Sequence, residues 1–265
     1  MRLAAIDLDG TLLRSDGTLS DRTKAAVTRA SAAGIEIVVV TARGPRTVRE
    51  IAHELGIGGE AIVSNGAMVL DLGSGGLRRV RAIETEVALR IVSGLRERLP
   101  GILFAVEAEA FAHEPGFFAW DWEPPAGTRV GDALDLLDES TTKIVARHEG
   151  HELEVIAAVA RELAGGAAAV FLSGNWVVEI SAAGVDKATA LAELCEELGV
   201  ERSDVVAFGD QLNDLPMLAW AGHGVAVANA HPDVIDVADE VTASNDEDGV
   251  ALVLERLSAP SGDAV

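Results

Sequence analysis

The chain has 265 residues, 49% of them apolar and 24% charged, enough apolar content for one large core or two ordinary ones. Its 21 Lys and Arg against 43 Asp and Glu leave a formal net charge of -22 at pH 7, which argues against nucleic acid or an anionic membrane as a partner. A phosphate-bearing ligand would also be repelled at long range, so a metal ion, a few local cations and backbone N–H groups must supply its attraction. No run approaches the roughly 18 apolar residues of a membrane helix, and the first apolar stretch meets Asp7 too soon for a signal peptide, so a cytoplasmic protein is expected. The single Cys195 lies among Leu191, Ala192, Leu194 and Leu198 at helical spacing and reads as a packing residue.

Leu3 to Leu8 forms a short apolar run that predicts a buried strand, interrupted by Asp7 and followed at once by Asp9 and Gly10. Alternate strand residues share a face, but an exit at Gly10 lets the two carboxylates diverge, one as a nucleophile and one as an acid/base. Taken alone, the pair reads first as a strand ending in a solvated acidic turn, and the residues downstream overturn that reading. Ser20 caps a helix running to about Ala33 and stopped by Gly34. A second strand, Ile35 to Val40, ends in Thr41-Ala-Arg43, and Pro45 opens a helix whose buried face is Val48, Ile51, Ala52 and Leu55. Ala61 to Asn65 reads as a third strand. Strand, helix, strand, helix, strand implies a parallel sheet with right-handed crossovers, a Rossmann-like α/β fold.

From Arg81 the texture changes to two amphipathic helices and four strand candidates, Ile102 to Glu107, Thr142 to Arg147, Ala168 to Leu172 and Trp176 to Ser181, the last two joined as a hairpin. The stretch Phe117-Phe-Ala-Trp-Asp-Trp122, flanked by prolines, reads as a structured loop. Phe117 and Phe118 suit the core of this region, and Trp120 and Trp122 either pack there or line a substrate site. At Gly184 the first texture returns: Asp186 caps a helix opening at Lys187, a strand over Val205 to Phe208 ends at Gly209-Asp210, and a helix opens near Pro216. Short strands near Val225 and Val241 and a helix over Gly249 to Leu257 complete the sheet. The reading is a discontinuous α/β core domain, residues 1–80 and 184–258, an inserted α/β domain over 81–183, and a tail over 259–265.

Four polar clusters fall where a strand ends or a helix starts: Asp7/Asp9/Thr11, Thr41/Arg43, Lys187, and Asp210/Asn213/Asp214. A parallel sheet brings such ends to one rim. Three carboxylates gathered there resist ionisation unless a cation sits among them, and hard oxygen donors suit Mg²⁺. Lys187, the Thr41 hydroxyl and N–H groups after Asp7 can then carry phosphate oxygens. Asn229 and Asn245 read as turn braces.

Seven segments in order, Ile6 to Leu12, Val40 to Arg43, Ser64 to Ala67, Gly184 to Lys187, Gly209 to Asp214 with Met217-Leu218, Val225 to Ala230, and Asn245 to Val250, resemble the haloacid dehalogenase superfamily, in particular Cof-type phosphatases with an α/β (C2-type) cap inserted between the second and third motifs. The resemblance implies a Mg²⁺-dependent phosphatase acting on small phosphomonoesters, such as sugar phosphates or phosphorylated cofactors, through an aspartyl-phosphate. It implies Asp7 as nucleophile and Asp9 as acid/base. Asp7, the Asp9 carbonyl and Asp210 would hold Mg²⁺, with Asp214 a further or water-mediated ligand, and Thr41, Lys187 and Asn213 would grip the phosphoryl group. One departure is Ala42, where the family usually has Gly. A sugar phosphomutase uses the same two aspartates, with a sugar hydroxyl in place of water. A non-catalytic phosphate-binding module would be expected to lack one of Asp7, Asp9, Lys187 or Asp210, and all four are present. The oligomeric state is not legible.

Overall fold

The computed structural model describes residues 1–108, 110–118, 128–173 and 176–259. The chain divides into two compact units, one of residues 1–78 with the chain from 186 onward, the other of residues 79–185. The inserted unit therefore begins two residues before, and ends two residues after, the range expected from sequence texture. No described helix is long and apolar enough to cross a membrane. Trp120, Trp122, the centre of the Ser-Gly-Asn turn and the tail beyond Ala259 lie outside the described residues.

The first unit begins with β1 (Leu3–Ile6), four apolar residues with no exposed neighbour in the strand. α1 (Asp21–Ala32) starts where the Ser20 side chain accepts the N–H of Thr23, the bond that satisfies an otherwise orphaned helix donor. β2 (Glu36–Val40) and α2 (Pro45–Leu55) follow, the helix opening on proline, burying Val48, Ile51, Ala52 and Leu55, and ending at Gly56. β3 (Glu60–Val63) stops two residues short of the expected strand, because Ser64 and Asn65 turn into the left-handed region at φ 52° and 56°. β4 (Met68–Asp71) and β5 (Leu77–Val80) then extend the sheet edge, two strands absent from the sequence reading.

The insert contains α3 (Thr85–Arg98), β6 (Leu103–Glu107), β7 (Phe111–His113), β8 (Arg129–Val130), α4 (Ala133–Leu136), β9 (Lys143–Arg147), α5 (Leu153–Ala164), β10 (Ala168–Ser173) and β11 (Val177–Ala182). The six strands form one sheet in the order β10-β11-β9-β6-β7-β8, antiparallel except between β7 and β8. One face is closed by α3 and α5: Ile91, Val92 and Leu95 from α3 and Ile156, Ala157 and Ala160 from α5 meet Phe104, Ile144, Val178 and Ile180. The opposite face carries Ala105, Val145 and Val177 beneath Phe117, so Phe117 is a core ring of the insert with half-buried Phe118 beside it.

The chain returns as α6 (Lys187–Leu198), β12 (Val205–Gly209), α7 (Leu215–Trp220), β13 (His223–Ala226), α8 (Pro232–Val237), β14 (Glu240–Val241) and α9 (Gly249–Leu257). The larger sheet has the order β14-β13-β12-β1-β2-β3-β4-β5 and is parallel from β14 to β3, with β4 antiparallel to β3. β1 lies between β12 and β2, with Ile6 in register with Phe208 on one side and Val39 on the other. The chain leaves β1 toward β2 on one side, while β12 and β13 run out on the other, and crevices form at such switch points beyond the carboxyl ends. Cys195 is buried in this unit's core, as its helical spacing implied.

Candidate active site

Asp7 follows β1 directly and is 5% exposed, its N–H held by the carbonyl of Phe208 at 3.1 Å. Lys187, the first residue of α6, reaches back to it: Nζ donates to Asp7 Oδ1 at 2.7 Å and to Asp214 Oδ1 at 2.6 Å. A cation on the first turn of a helix opposes the helix dipole, and an ammonium 1% exposed loses its hydration, so this placement is locally unfavourable. The two carboxylates offset that cost and hold Lys187 charged, above the ordinary lysine range. Asp7 is raised as well, which for a carboxylate favours the uncharged form: burial, countered in part by Lys187 and reinforced by Asp214 and Asp210, pushes it up to about 8.

Beyond β12, Asp214 Oδ2 accepts the backbone N–H groups of Asp210 at 3.1 Å and Gln211 at 3.0 Å, closing the loop that presents Asp210. Asp210 in turn accepts the Thr11 hydroxyl at 2.8 Å and the Gln211 side-chain amide at 2.9 Å. Its carboxyl is raised by burial, with those two bonds opposing the rise. Gly10 sits at φ 80° against this carboxylate, and a Cβ there would collide with Asp210, so glycine lets the β1 loop close on the β12 loop. Asn229 donates to the Gly10 carbonyl at 2.8 Å, accepts the N–H of Asn245 at 2.9 Å, and Asn245 donates to the Leu13 carbonyl at 2.9 Å. These two asparagines brace the turn after β1.

Asp9 goes elsewhere. Its exposed carboxylate is gripped by Arg43, Nε to Oδ2 at 2.7 Å and Nη2 to Oδ1 at 2.5 Å, and does not join Asp7, Asp210 and Asp214. Thr41 is fully buried, with its hydroxyl accepting the N–H of Arg43 at 3.1 Å. Asn213 donates to Asn65 Oδ1 at 3.0 Å. Asn65 was not singled out as a site residue, although Asn-Gly is a turn signal and its φ of 56° marks a position under local strain. The same turn seats α6, because Gly66, at φ 99°, lies against the Asp186 carbonyl where any Cβ would collide. Asp186 accepts the N–H of Thr189 at 2.7 Å and caps the helix that carries Lys187.

Asp7, Asp210, Asp214 and Lys187 are thus brought together at the carboxyl ends of β1 and β12 and the start of α6, with one oxygen from each carboxylate within 4.8 Å of the others. Once Asp7 is ionised, three carboxylates against one ammonium leave an excess of two negative charges in a buried place. An all-oxygen donor set with that excess fits a hard divalent cation such as Mg²⁺. Asp214 is the most committed of the three, accepting Lys187 on Oδ1 and two backbone N–H groups on Oδ2, whereas Asp210 accepts one bond on each oxygen and Asp7 accepts Lys187 on Oδ1.

A family model described as haloacid dehalogenase-like hydrolase matches residues 4–254. Among curated proteins, the 5-amino-6-(5-phospho-D-ribitylamino)uracil phosphatase YcsE of Bacillus subtilis is 30% identical over 268 residues, spanning 97% of this chain and 95% of that protein. Among solved structures, a haloacid dehalogenase-like hydrolase from Bacteroides thetaiotaomicron is similar with a TM-score of 0.85 and 28% identity, over 97% of this chain and 99% of the other. One from B. subtilis is similar with a TM-score of 0.83 and 30% identity, over 97% and 100%.

Proposed function

This chain belongs to the haloacid dehalogenase-like hydrolase family, and from that premise we propose that it is a Mg²⁺-dependent phosphatase hydrolysing small phosphomonoesters through phosphorylation of Asp7. The observation that carries the reading is the buried contact of Lys187 with Asp7 and Asp214 beside Asp210, at the carboxyl end of the central strand. A phosphatase name on a relative aligned over nearly its whole length supports water as the phosphoryl acceptor.

Asp7 and Asp210 would hold the metal, with Asp214 behind them fixing Lys187 and the loop. When bound, a divalent cation supplies charge neutralisation for the phosphoryl oxygens. Asp7 attacks phosphorus as the ester P–O bond breaks, and Asp9, which must enter this step protonated and so released from its two-nitrogen pair with Arg43, gives its proton to the departing alkoxide oxygen. Asp9, now a carboxylate, takes a proton from water as the water oxygen attacks phosphorus. The bond from phosphorus to Asp7 then breaks, restoring the carboxylate and releasing inorganic phosphate. Lys187 balances charge on Asp7 and on the transferred group, and Thr41 and Asn213 orient its oxygens. Arg43 would hold Asp9 in its ionised form, between the acid step and the attack of water.

The test is phosphate release from a panel of phosphomonoesters by wild type and Asp7→Asn, with Mg²⁺ and with a chelator. Hydrolysis that needs both Asp7 and the metal supports the reading. Turnover retained by Asp7→Asn, or undiminished after chelation, would overturn it.

A further inference from the structure

The turn after β3 holds Ser64 and Asn65 at φ 52° and 56°, two consecutive residues in the left-handed region, where a side chain costs more than glycine does. Asparagine tolerates that region better than most residues, but tolerance alone would be met better by glycine, which stands at the next position, Gly66. The Asn65 side chain has a partner to set against its backbone cost. Its Oδ1 accepts the side-chain amide of Asn213 through Nδ2 at 3.0 Å.

Asn65 is a firm anchor for that bond. It is buried, the N–H groups of Ser64 and Asn65 are held by the carbonyls of Arg43 and Thr41, each at 2.9 Å, and Gly66 lies against the Asp186 carbonyl. Asn213 is half-buried on the loop after β12, between Gln211 and Asp214. In the larger sheet β1 and β2 lie between β12 and β3, so three strand spacings, about 14 Å, separate the strands whose loops the pair joins. The two amides thus link the loops on either side of the strand ends that lead to Asp7 and Thr41.

We infer that Asn65 is a positioning residue for phosphoryl recognition, fixing the side-chain amide of Asn213 so that a nitrogen donor, and not the amide oxygen, is offered to the transferred group. The inference rests on the phosphatase reading above. The two ends of an asparagine amide have nearly the same shape and opposite hydrogen-bonding character, so an unheld Asn213 could turn either end toward an anion. Phosphoryl oxygens accept hydrogen bonds and are repelled by an amide oxygen. By accepting one N–H of Asn213, Asn65 selects the orientation and leaves the second N–H on that nitrogen for a phosphoryl oxygen. Setting the orientation beforehand also spares the rotamer freedom that Asn213 would otherwise lose when phosphate binds.

The test is the effect of Asn213→Ala in three proteins that differ only at position 65: wild type, Asn65→Asp and Asn65→Gly. Aspartate keeps an acceptor and tolerates the turn, whereas glycine suits the turn and has no acceptor. Any charge effect of the aspartate is present with and without Asn213→Ala and cancels in the comparison. Calorimetric titration of inorganic phosphate with Mg²⁺ present reads recognition without turnover. Steady-state kinetics on acetyl phosphate covers variants whose phosphate affinity is too weak to titrate.

Asn213→Ala is expected to weaken phosphate binding and lower kcat/KM by at least about tenfold in wild type and in Asn65→Asp, but by less than about threefold in Asn65→Gly. Asn65→Gly by itself is expected to cost about three- to tenfold, more in KM than in kcat, with little change in Tm. An equal cost of Asn213→Ala in all three proteins, a cost lost in Asn65→Asp as well as in Asn65→Gly, or unchanged phosphate affinity in Asn65→Gly would overturn the inference and leave Asn65 a structural residue of its turn. Failure of the wild type to bind phosphate and to hydrolyse acetyl phosphate with Mg²⁺ would instead remove the phosphatase reading beneath it.

Discussion

Arg43 holds Asp9 by two nitrogens, Nε at 2.7 Å and Nη2 at 2.5 Å, and the carboxylate two residues beyond Asp7 stands outside the group formed by Asp7, Asp210 and Asp214. If Asp9 works as the proton carrier, Asp9→Asn should leave Mg²⁺ affinity intact and slow turnover by roughly 10² to 10⁴ fold. Calorimetric titration of Mg²⁺ beside steady-state kinetics separates the two roles. Lost metal affinity with normal turnover at saturating Mg²⁺ would reverse the assignment.

The pH dependence of stability follows from Asp7. Burial raises its folded carboxyl from the ordinary value of 3.8 to about 8 in the metal-free protein, against the pull of Lys187. Between those values the unfolded chain has released a proton that the folded chain keeps, so metal-free stability should fall as pH rises from about 4 to about 8. Mg²⁺ should reverse this, most strongly at the upper end, with about 2.7 kcal/mol gained when the free metal is about a hundredfold above its Kd. Thermal melts at about pH 5 and about pH 8, with Mg²⁺ or chelator, check the sign. A larger metal-induced rise in Tm at the acidic pH would contradict it.

Gly66 should tolerate no side chain. At φ 99°, with the Asp186 carbonyl where a Cβ would fall, Gly66→Ala must shift the turn that seats the start of α6. A loss of about 2 kcal/mol or more is expected, together with lower kcat as Lys187 moves from Asp7. An unchanged urea midpoint and an unchanged Tm would show that the turn and helix adjust independently.

Cys195 should be inert. Burial pushes its thiol up to about 11, and no described cation activates it. Under native conditions near pH 8 a disulfide reagent should therefore label it only at the rate of unfolding, with full labelling in denaturant. Rapid native labelling would place the thiol at the surface.

The convergence of Asp7, Lys187, Asp210 and Asp214 was legible because parallel strands deliver their carboxyl ends to one rim, and apolar runs ending in Asp or starting a helix at Lys mark those ends. The destination of the Asp9 side chain was not, because its partner Arg43 is 34 residues away and nothing local announces the pairing. β3 was read too long, since Ser64 and Asn65 suit a strand end until their positive φ is known. β5 was missed because Leu77-Arg-Arg-Val80 is short and half charged, a pattern that suits a sheet edge but resembles a loop.

The account turns on Asp7 as the group that carries phosphate, and trapping that intermediate tests it most directly. The Asp9→Asn protein, mixed with a phosphomonoester and Mg²⁺, quenched in acid and digested, is predicted to yield the peptide containing Asp7 heavier by one phosphoryl group. The modification should vanish on treatment with hydroxylamine and be absent from Asp7→Asn. Phosphate release by wild type with no modified peptide in the trap, or with the phosphoryl group on another residue, would contradict it.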